Sequence, residues 1–439
     1  MASSKVKPLK PKHQKRRLFR ANEPLLSVLM WGVNHTINEL LHVTIPPLLM
    51  NEDFKAFSKA RVENHLYNKE NLPGRFKFKE YCPMVFRDLR EKFHVDDSEY
   101  SYALTHSQPV KSTAKGRSGA KFYLSHDKKF VIKMIAGDEV ALMHQVLQPY
   151  HAHVVGSEGS TLLPHYVGMY RLTVEGVEHY ILIMRNVLPS SLKVHKKYDL
   201  KGSTVARSAS EKEKAKDLPT FKDKDFIGDG LKIKVGPVAK TKLINTLEKD
   251  VAFLTKLNIM DYSLLLGIHN CVQAQEESAE DEDEEDGESE EEEQEEEEGA
   301  CSGDDGIGAE ASPGAATGSG TALTPPEGEA AKKAKEAAIS GLPKPFIAAC
   351  AKEATKAIER GLWPVIDKSV DVFAVLSDEE AEPKIYFIGL IDVLTSYGTR
   401  KRAAHAAKTV KHGARAEIST VRPEQYARRF LEFIGRVVE

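Results

Sequence analysis

Cysteine and tryptophan are scarce, with four of the first and two of the second among 439 residues. Cys82, Cys271, Cys301 and Cys350 are scattered and show no zinc-ligand spacing, which fits a reducing cytosolic or nuclear setting best. Long apolar runs are missing too. The best stretch, Leu25 to Val33, falls well short of the ~20 residues a membrane span needs and is interrupted by Ser27, Trp31 and Gly32. The chain opens on basic rather than apolar residues, so no secretory leader is expected. A hydrophobic fraction of 41% is ordinary for a globular protein, and the length allows two lobes or domains, each with its own core.

Charge is the first unusual presence. The net charge of −3 hides a run from Glu276 to Glu298 with 18 acids and no bases; without those 18 the rest of the chain carries +15. Residues 1–20 hold eight Lys or Arg and no acid. A solvated surface accounts for any one basic cluster. A surplus over the whole body suits an anionic partner: phospholipid, nucleic acid or a phosphorylated substrate.

Periodicity orders the remainder. Residues 1–20 read as a flexible basic tail, and Glu23 to His42 as a helix with a wide apolar face. A strand is expected within Phe54–Tyr67, and a strand followed by a helix (about Pro83 to Phe93) within Phe76–Phe93. Residues 106–119 read as a polar loop. Strands follow at Phe122–Leu124 and Phe130–Ile135, then a helix from Asp138 to Tyr150, then strands at Tyr166–Val174 and His179–Met184 around Glu175-Gly176. Strand, strand, helix, strand, strand is the order of a kinase-like small lobe. A basic stretch (Lys193–Arg207) and a Lys/Asp-rich stretch to Asp229 precede an amphipathic helix over Lys240–Leu257. Residues 272–325 are low-complexity and cannot bury enough surface to offset chain entropy; Ala330–Leu362 is Ala- and Lys-rich with helical propensity. Strands return at Val370–Leu376 and Ile385–Leu394, and a last helix covers Glu424–Val438.

Three residues stand out chemically. Lys133 lies in the apolar strand string Val131-Ile132-Lys133, one hairpin arm after Gly116-Arg117-Ser118-Gly119, where a phosphate-covering loop would lie. An exposed lysine on an edge strand and simple turn glycines read equally well on their own. Asp261 and Asp392 each adjoin an apolar strand, where a carboxylate is costly to desolvate unless paired or metal-bound. An N-cap or turn role is open for each singly. Together, in the order Lys, Asp, Asp, they fit phosphoryl transfer: a lysine on the nucleotide phosphates, one carboxylate by the attacking hydroxyl and one on Mg²⁺. The aspartates are 131 residues apart and neither sits in an HRD or DFG tripeptide, unlike an ordinary protein kinase. A basic segment, Arg400 to His412, follows Asp392; it would present cations to an acidic lipid surface or form a plain amphipathic surface helix.

Long strings carry a resemblance: FRANEPLLSVLMWGVNHTINEL, NKENLP, RFKFKEYCPMVFR, TLLP, KYDLKGSTVA, IMDYSLLLGIH and AAHAAKTVKHGA. With them the chain resembles the phosphatidylinositol phosphate kinases, type II group, over residues 18–100, 119–270 and 369–435. The resemblance implies an α+β, two-lobed kinase-like lipid kinase fold with antiparallel sheets in both lobes and a disordered insert. The divisions would be a tail (1–20), an N-terminal lobe (21–184), a C-terminal lobe (185–271 and 369–439) with a specificity loop (393–423), and an acidic insert (272–368).

It further implies ATP and Mg²⁺ as cofactors. Lys133 would hold the nucleotide phosphates, with Gly116 and Gly119 over them and Arg185, Asn186 and Val187 as the hinge. Asp261 would orient or deprotonate the inositol hydroxyl, and Asp392 would bind Mg²⁺. Asp199, Lys201, Lys401, Arg402, Ala404 and Lys408 would serve the substrate head group. Ala404 stands where type I kinases carry Glu, which favours phosphatidylinositol 5-phosphate as substrate and its 4-hydroxyl as acceptor. Implied partners are an anionic phosphoinositide membrane and a second copy of the chain, joined around residues 23–67. A heterodimer with family members stays open, and no nucleic acid is expected. The place would be cytoplasmic and peripheral at membranes, with a nuclear fraction left open. Two departures keep a second reading in view, a low-activity scaffold or nucleotide sensor. Leu142 replaces an acid expected in the small-lobe helix, leaving Glu139 or Asp138 as partners for Lys133. Leu188 replaces a Phe beside the base and leaves ATP against GTP open.

Overall fold

The computed structural model describes residues 19, 21–44, 46, 48–63, 72–112, 120–278, 371–379, 381–398 and 421–439. The chain divides into two compact units, one of Met1–Ser190, Thr246–Ser263 and Gly389–Arg429 and one of Ser191–Asn245, Leu264–Ile388 and Phe430–Glu439.

In the first unit, helix α1 (Pro24–Leu40) starts on a proline, whose missing N–H costs nothing in a first turn. Leu26, Leu29, Val33, Ile37 and Leu40 recur at helical spacing and are buried. On this face Gly32 lets the helix approach a phenylalanine ring: a Cβ there would stand 2.0 Å from Phe78. The chain continues through β1 (Phe57–Glu63), β2 (Arg75–Tyr81), α2 (Pro83–Lys92), α3 (Asp97–Thr105), β3 (Val110–Lys111), β4 (Phe122–Leu124) and β5 (Phe130–Ile135). Then come α4 (Gly137–Gly156), β6 (Tyr166–Val174) and β7 (Val177–Arg185). The seven strands form one sheet in the order β1-β2-β6-β7-β5-β4-β3, antiparallel at every step.

The expected strands and the helix after β2 are all found. Helix α3 is an addition, started by the Asp96 carboxylate, which accepts from the Ser98 and Glu99 amides. Helix α4 also runs past the expected end at Tyr150. Pro149 removes one donor, but the buried stripe of Val146, Leu147, Tyr150 and Val154 continues across it and outweighs that loss.

The remaining elements are β8 (Lys196–Leu200), α5 (Glu211–Lys214), β9 (Thr220–Lys222), α6 (Asp223–Gly228), α7 (Gly236–Lys256), β10 (Ser263–Asn270), β11 (Ala374–Leu376), β12 (Lys384–Ile391) and α8 (Pro423–Val437). A short helix also covers 271–278. The second sheet has the order β11-β12-β10-β8-β9. Its β8–β9 pair is parallel, the exception to the expected antiparallel arrangement. Sequence periodicity missed both of these strands; in β8 the charged Lys196, Lys197 and Asp199 around Tyr198 and Leu200 disguise a half-buried strand.

Among the buried acids of the first unit, one lies on a sheet strand. Glu80 on β2 is fully buried, facing Arg90 of α2, Asp97 of α3, Thr36 of α1 and Tyr170 of β6. Arg90 is itself committed to Asp97 (2.6 Å) and to the Val167 carbonyl (2.9 Å). Burial therefore wins over attraction to Arg90, and the Glu80 carboxyl is pushed up to about 7. Between pH 4.5 and 7 the folded chain keeps a proton that an unfolded chain has released. Wild-type stability should fall relative to Glu80→Gln as pH rises through that window, by at most about 1.4 kcal/mol per unit. Urea unfolding of both proteins at pH 5, 6 and 7 checks this, and parallel pH profiles would refute it.

Candidate functional site

Lys133 sits on β5 in the middle of the first sheet, paired in register with Phe122 of β4 and Leu182 of β7. Its side chain is 11% exposed. An ammonium this dry needs anionic partners, and two converge on it. Glu139 Oε1, in the first turn of α4, is 3.0 Å from Nζ, and Asp392 Oδ1 is 3.8 Å away. The other Glu139 oxygen accepts from the Ala136 amide at 3.0 Å, so one carboxylate both starts the helix and holds the lysine. Of the two acids left open as partners, Glu139 is the one in contact. Asp138 accepts from the Glu139 amide at an exposed position.

Asp261 lies two residues before β10 and Asp392 directly follows β12. Each has positive φ, +67° and +60°. Aspartate tolerates this left-handed conformation better than most residues, and here it turns the chain sharply at a strand end. Backbone bonds join the two loops despite the 131 intervening positions. Met260 N–H donates to Thr395 O (3.0 Å) and Tyr397 N–H to Asn258 O (2.8 Å), beside a bridge between Ile259 and Ser396. The Asp261 loop is further held where the Tyr426 hydroxyl donates to the Tyr262 carbonyl, their rings meeting edge to face at 4.9 Å. Asp261 is half-buried, whereas the Asp392 side chain is 53% exposed. A partly exposed carboxylate with hard oxygen donors fits Mg²⁺, which takes one or two protein carboxylates and fills its shell with water and phosphate oxygens.

The segment expected to meet the nucleotide base leaves the end of β7. Asn186 N–H donates to Lys129 O (2.8 Å) and its side-chain amide to Lys128 O (3.0 Å). Arg185 is turned inward: Nη2 donates to the Phe93 carbonyl (2.9 Å), beside a His165 ring stacked on Phe93 at 3.9 Å. Burial and this guanidinium hold His165 down at about 3, a neutral packing group. The Arg185 side chain is thus committed to the interior, and Val187 is buried, so a bound base would meet mainly backbone from this segment.

In the second unit, Asp199 and Lys201 flank the end of β8. Asp223 organises that loop: Oδ1 accepts from the amides of Lys201 (2.9 Å), Gly202 (2.8 Å) and Ser203 (3.3 Å), and Oδ2 from Arg207 Nε (2.7 Å). Arg207 also donates to Asp199 Oδ1 at 2.9 Å. Neither Asp223 nor Arg207 was singled out in the sequence, where both are lost among lysines and acids. Gly116, Gly119, Lys401, Arg402, Ala404 and Lys408 lie outside the described residues.

Residues 104–437 match the family model described as Phosphatidylinositol-4-phosphate 5-Kinase. Phosphatidylinositol 5-phosphate 4-kinase type-2 beta of Rattus norvegicus is 51% identical over 426 residues, covering 97% of this chain and 92% of the relative. The type-2 alpha protein of Gallus gallus is 50% identical over 440 residues, covering 99% and 97%. The human type-2 alpha protein is 49% identical with the same coverage.

The contact between Lys133 and Glu139 makes a direct prediction. Glu139→Gln should weaken ATP binding about tenfold, the cost of one charged hydrogen bond at a dry site. Asp138→Asn should change it less than twofold. Calorimetric titration of both variants decides, and equal effects would show that the pair does not hold Lys133 for ATP.

Proposed function

Since the chain belongs to the family of phosphatidylinositol phosphate kinases represented by that model, we propose that it transfers the γ-phosphate of ATP to the 4-hydroxyl of phosphatidylinositol 5-phosphate, giving the 4,5-bisphosphate. The observation that carries this reading is the ion cluster of Lys133, Glu139 and Asp392, with the Asp261 loop bonded to the Asp392 loop. The family model bears the name of the sister 5-kinase activity, while relatives at about half identity over nearly the full chain are named 4-kinases. Those relatives and Ala404 together support the 4-hydroxyl as acceptor.

Each group has a task. Lys133, held by Glu139, neutralises phosphate oxygens of the nucleotide. Asp261 orients the inositol 4-hydroxyl and takes its proton as the oxygen attacks the γ-phosphorus. The bond from that phosphorus to the bridging oxygen breaks, and ADP leaves with the electron pair. Asp392 would hold Mg²⁺, which supplies charge stabilisation for the transferring phosphoryl group. Lys133 has an acidic partner in Glu139 even though position 142 is a leucine, which supports an active enzyme over a low-activity scaffold.

The +15 outside the acidic run supports work at an anionic leaflet, where each nearby Lys or Arg contributes ~1 kcal/mol before screening. A homodimer built by residues 23–67 and a cytoplasmic, membrane-peripheral location complete the reading. No helix among the described residues is long and apolar enough to cross a membrane.

Liposomes containing phosphatidylinositol 5-phosphate test it. Asp261→Asn should lower turnover by about 10²- to 10⁴-fold, the range for loss of a general base. Wild-type turnover no greater than the variant's would sink the reading. Ala404→Glu should shift preference towards the 4-phosphate lipid; an unchanged ratio on mixed liposomes would remove this position from substrate choice.

A further inference from the structure

The amphipathic pattern of α7 contains an acid where it should not. Leu243, Leu247, Val251 and Leu254 form its buried stripe, and Asp250 lies within that stripe at 1% exposure. A carboxylate so deeply buried must find donors, and Asp250 has three. Thr161 Oγ1–H donates to Oδ1 at 2.7 Å, and the Leu162 amide donates to Oδ2 at 2.7 Å. His153 Nε2 lies 2.6 Å from Oδ1, and because a carboxylate only accepts, the imidazole is the donor. Phe253, one turn along α7, stacks on the same imidazole at 4.5 Å and fixes its plane. Asp250, its three donors and Phe253 all belong to the first unit.

The clamp does not end at the loop it grips. Thr161 Oγ1 also accepts from the Leu163 amide at 3.1 Å, so residues 161–163 are bonded at three consecutive positions. The carbonyl of Leu162 then accepts from the Leu390 amide at 2.7 Å. Leu390 is fully buried near the end of β12, two residues before Asp392. Beyond it the chain turns through the positive φ of Asp392, and the carboxylate emerges 3.8 Å from Lys133. A shift of the strand end is passed directly to a side chain held in so restricted a turn. Misplacement by about 1 Å in such a centre costs on the order of 10²-fold in rate.

We propose that Asp250 is a positioning residue for Asp392, acting through Thr161, Leu162 and the Leu162–Leu390 backbone hydrogen bond. This rests on the proposed role of Asp392 in phosphoryl transfer. Asp250 touches no reacting atom; it fixes where the β12 end, and so the Asp392 carboxylate, stands. Nothing in its string, Leu247-Glu248-Lys249-Asp250-Val251, marks it as part of a site, apart from its place on the apolar stripe.

The experiment compares Asp250→Asn with Asp88→Asn in the full chain. Asp88 of α2 accepts from Nε2 of His151 at 2.6 Å, a similar pair that also uses an imidazole of α4 but has no route through Leu162. Asp250→Asn should raise amide hydrogen exchange at Leu390 about tenfold without ligands. It should also raise about tenfold the Mg²⁺ concentration for half-maximal turnover, as loss of a supporting carboxylate does, with the lipid KM unchanged within twofold. Asp88→Asn should move neither reading. Unmoved readings in Asp250→Asn, or equal shifts in both variants, overturn the proposal.

If Asp250→Asn does not fold, Thr161→Val takes its place. That change removes one donor to Asp250 and should shift both readings the same way by about threefold; no shift overturns the proposal equally. Asp392→Asn run alongside separates the premise from the inference. A full rate and unchanged Mg²⁺ response there would overturn the role given to Asp392, while Leu390 exchange still reads the linkage by itself.

Discussion

The first unit is organised around one costly act, placing the Lys133 ammonium in the middle of an apolar sheet. A charge there is tolerated only beside opposite charge, and its neighbours on β4 and β7, Phe122 and Leu182, supply none. The partners must come from elsewhere in the chain. Glu139 comes from the start of α4, six residues on, and Asp392 from beyond the end of β12. Bringing these into place commits the β5–α4 turn, the end of β12 and the loop before β10 to one arrangement. The ion cluster thus acts as a constraint on the fold as much as a site, which is why its members can be near one another before any nucleotide arrives.

A second theme is the use of a buried carboxylate to grip a loop. Asp250 does so in the first unit with a hydroxyl, an imidazole and an amide. Asp223 does so in the second with three successive amides and a guanidinium. In both cases the carboxylate recovers its desolvation cost only if all its donors are in place. That makes the loop's position close to all-or-none, which suits segments that must present a side chain at a set point. The chain carries Lys201 on one such loop, and the Leu162 contact to β12 on the other.

What the sequence made legible follows the same physics. Alternation and helical spacing exposed α1, β2, α2, β4 to β7 and α8, because each has one face towards a core. Elements whose cores lie under lysines stayed hidden: β8 shows Lys196 and Lys197 before Tyr198, and β9 lies in a charge-rich stretch. Lys133, Asp261 and Asp392 stood out as charges in apolar surroundings. The pairing of Lys133 with Glu139 rather than Asp138 did not, since adjacent acids in a first turn differ only in the direction their side chains take. Asp250 offered a signal, an acid on an apolar stripe, that amphipathic pattern-matching passes over as noise. The inward turn of Arg185, whose side chain donates to the Phe93 carbonyl, left no signal in the sequence either.

The separation of the two aspartates looks at first like an obstacle to a shared centre, yet it costs little. The strands that carry them, β10 and β12, are neighbours in one sheet. The Cys271 amide donates to the Pro383 carbonyl at 3.0 Å, so the chain departs from β10 and returns to β12 at nearly one point. The entropy of closing such an excursion grows only with the logarithm of its length, about 0.6 kcal/mol for each doubling. Once the ends are pinned, the intervening stretch can grow at small cost to the site. The backbone bonds between 258–260 and 395–397 then fix the aspartate loops locally, on the far side of the strands from the excursion. Distance along the chain and rigidity of the two loops are thereby decoupled.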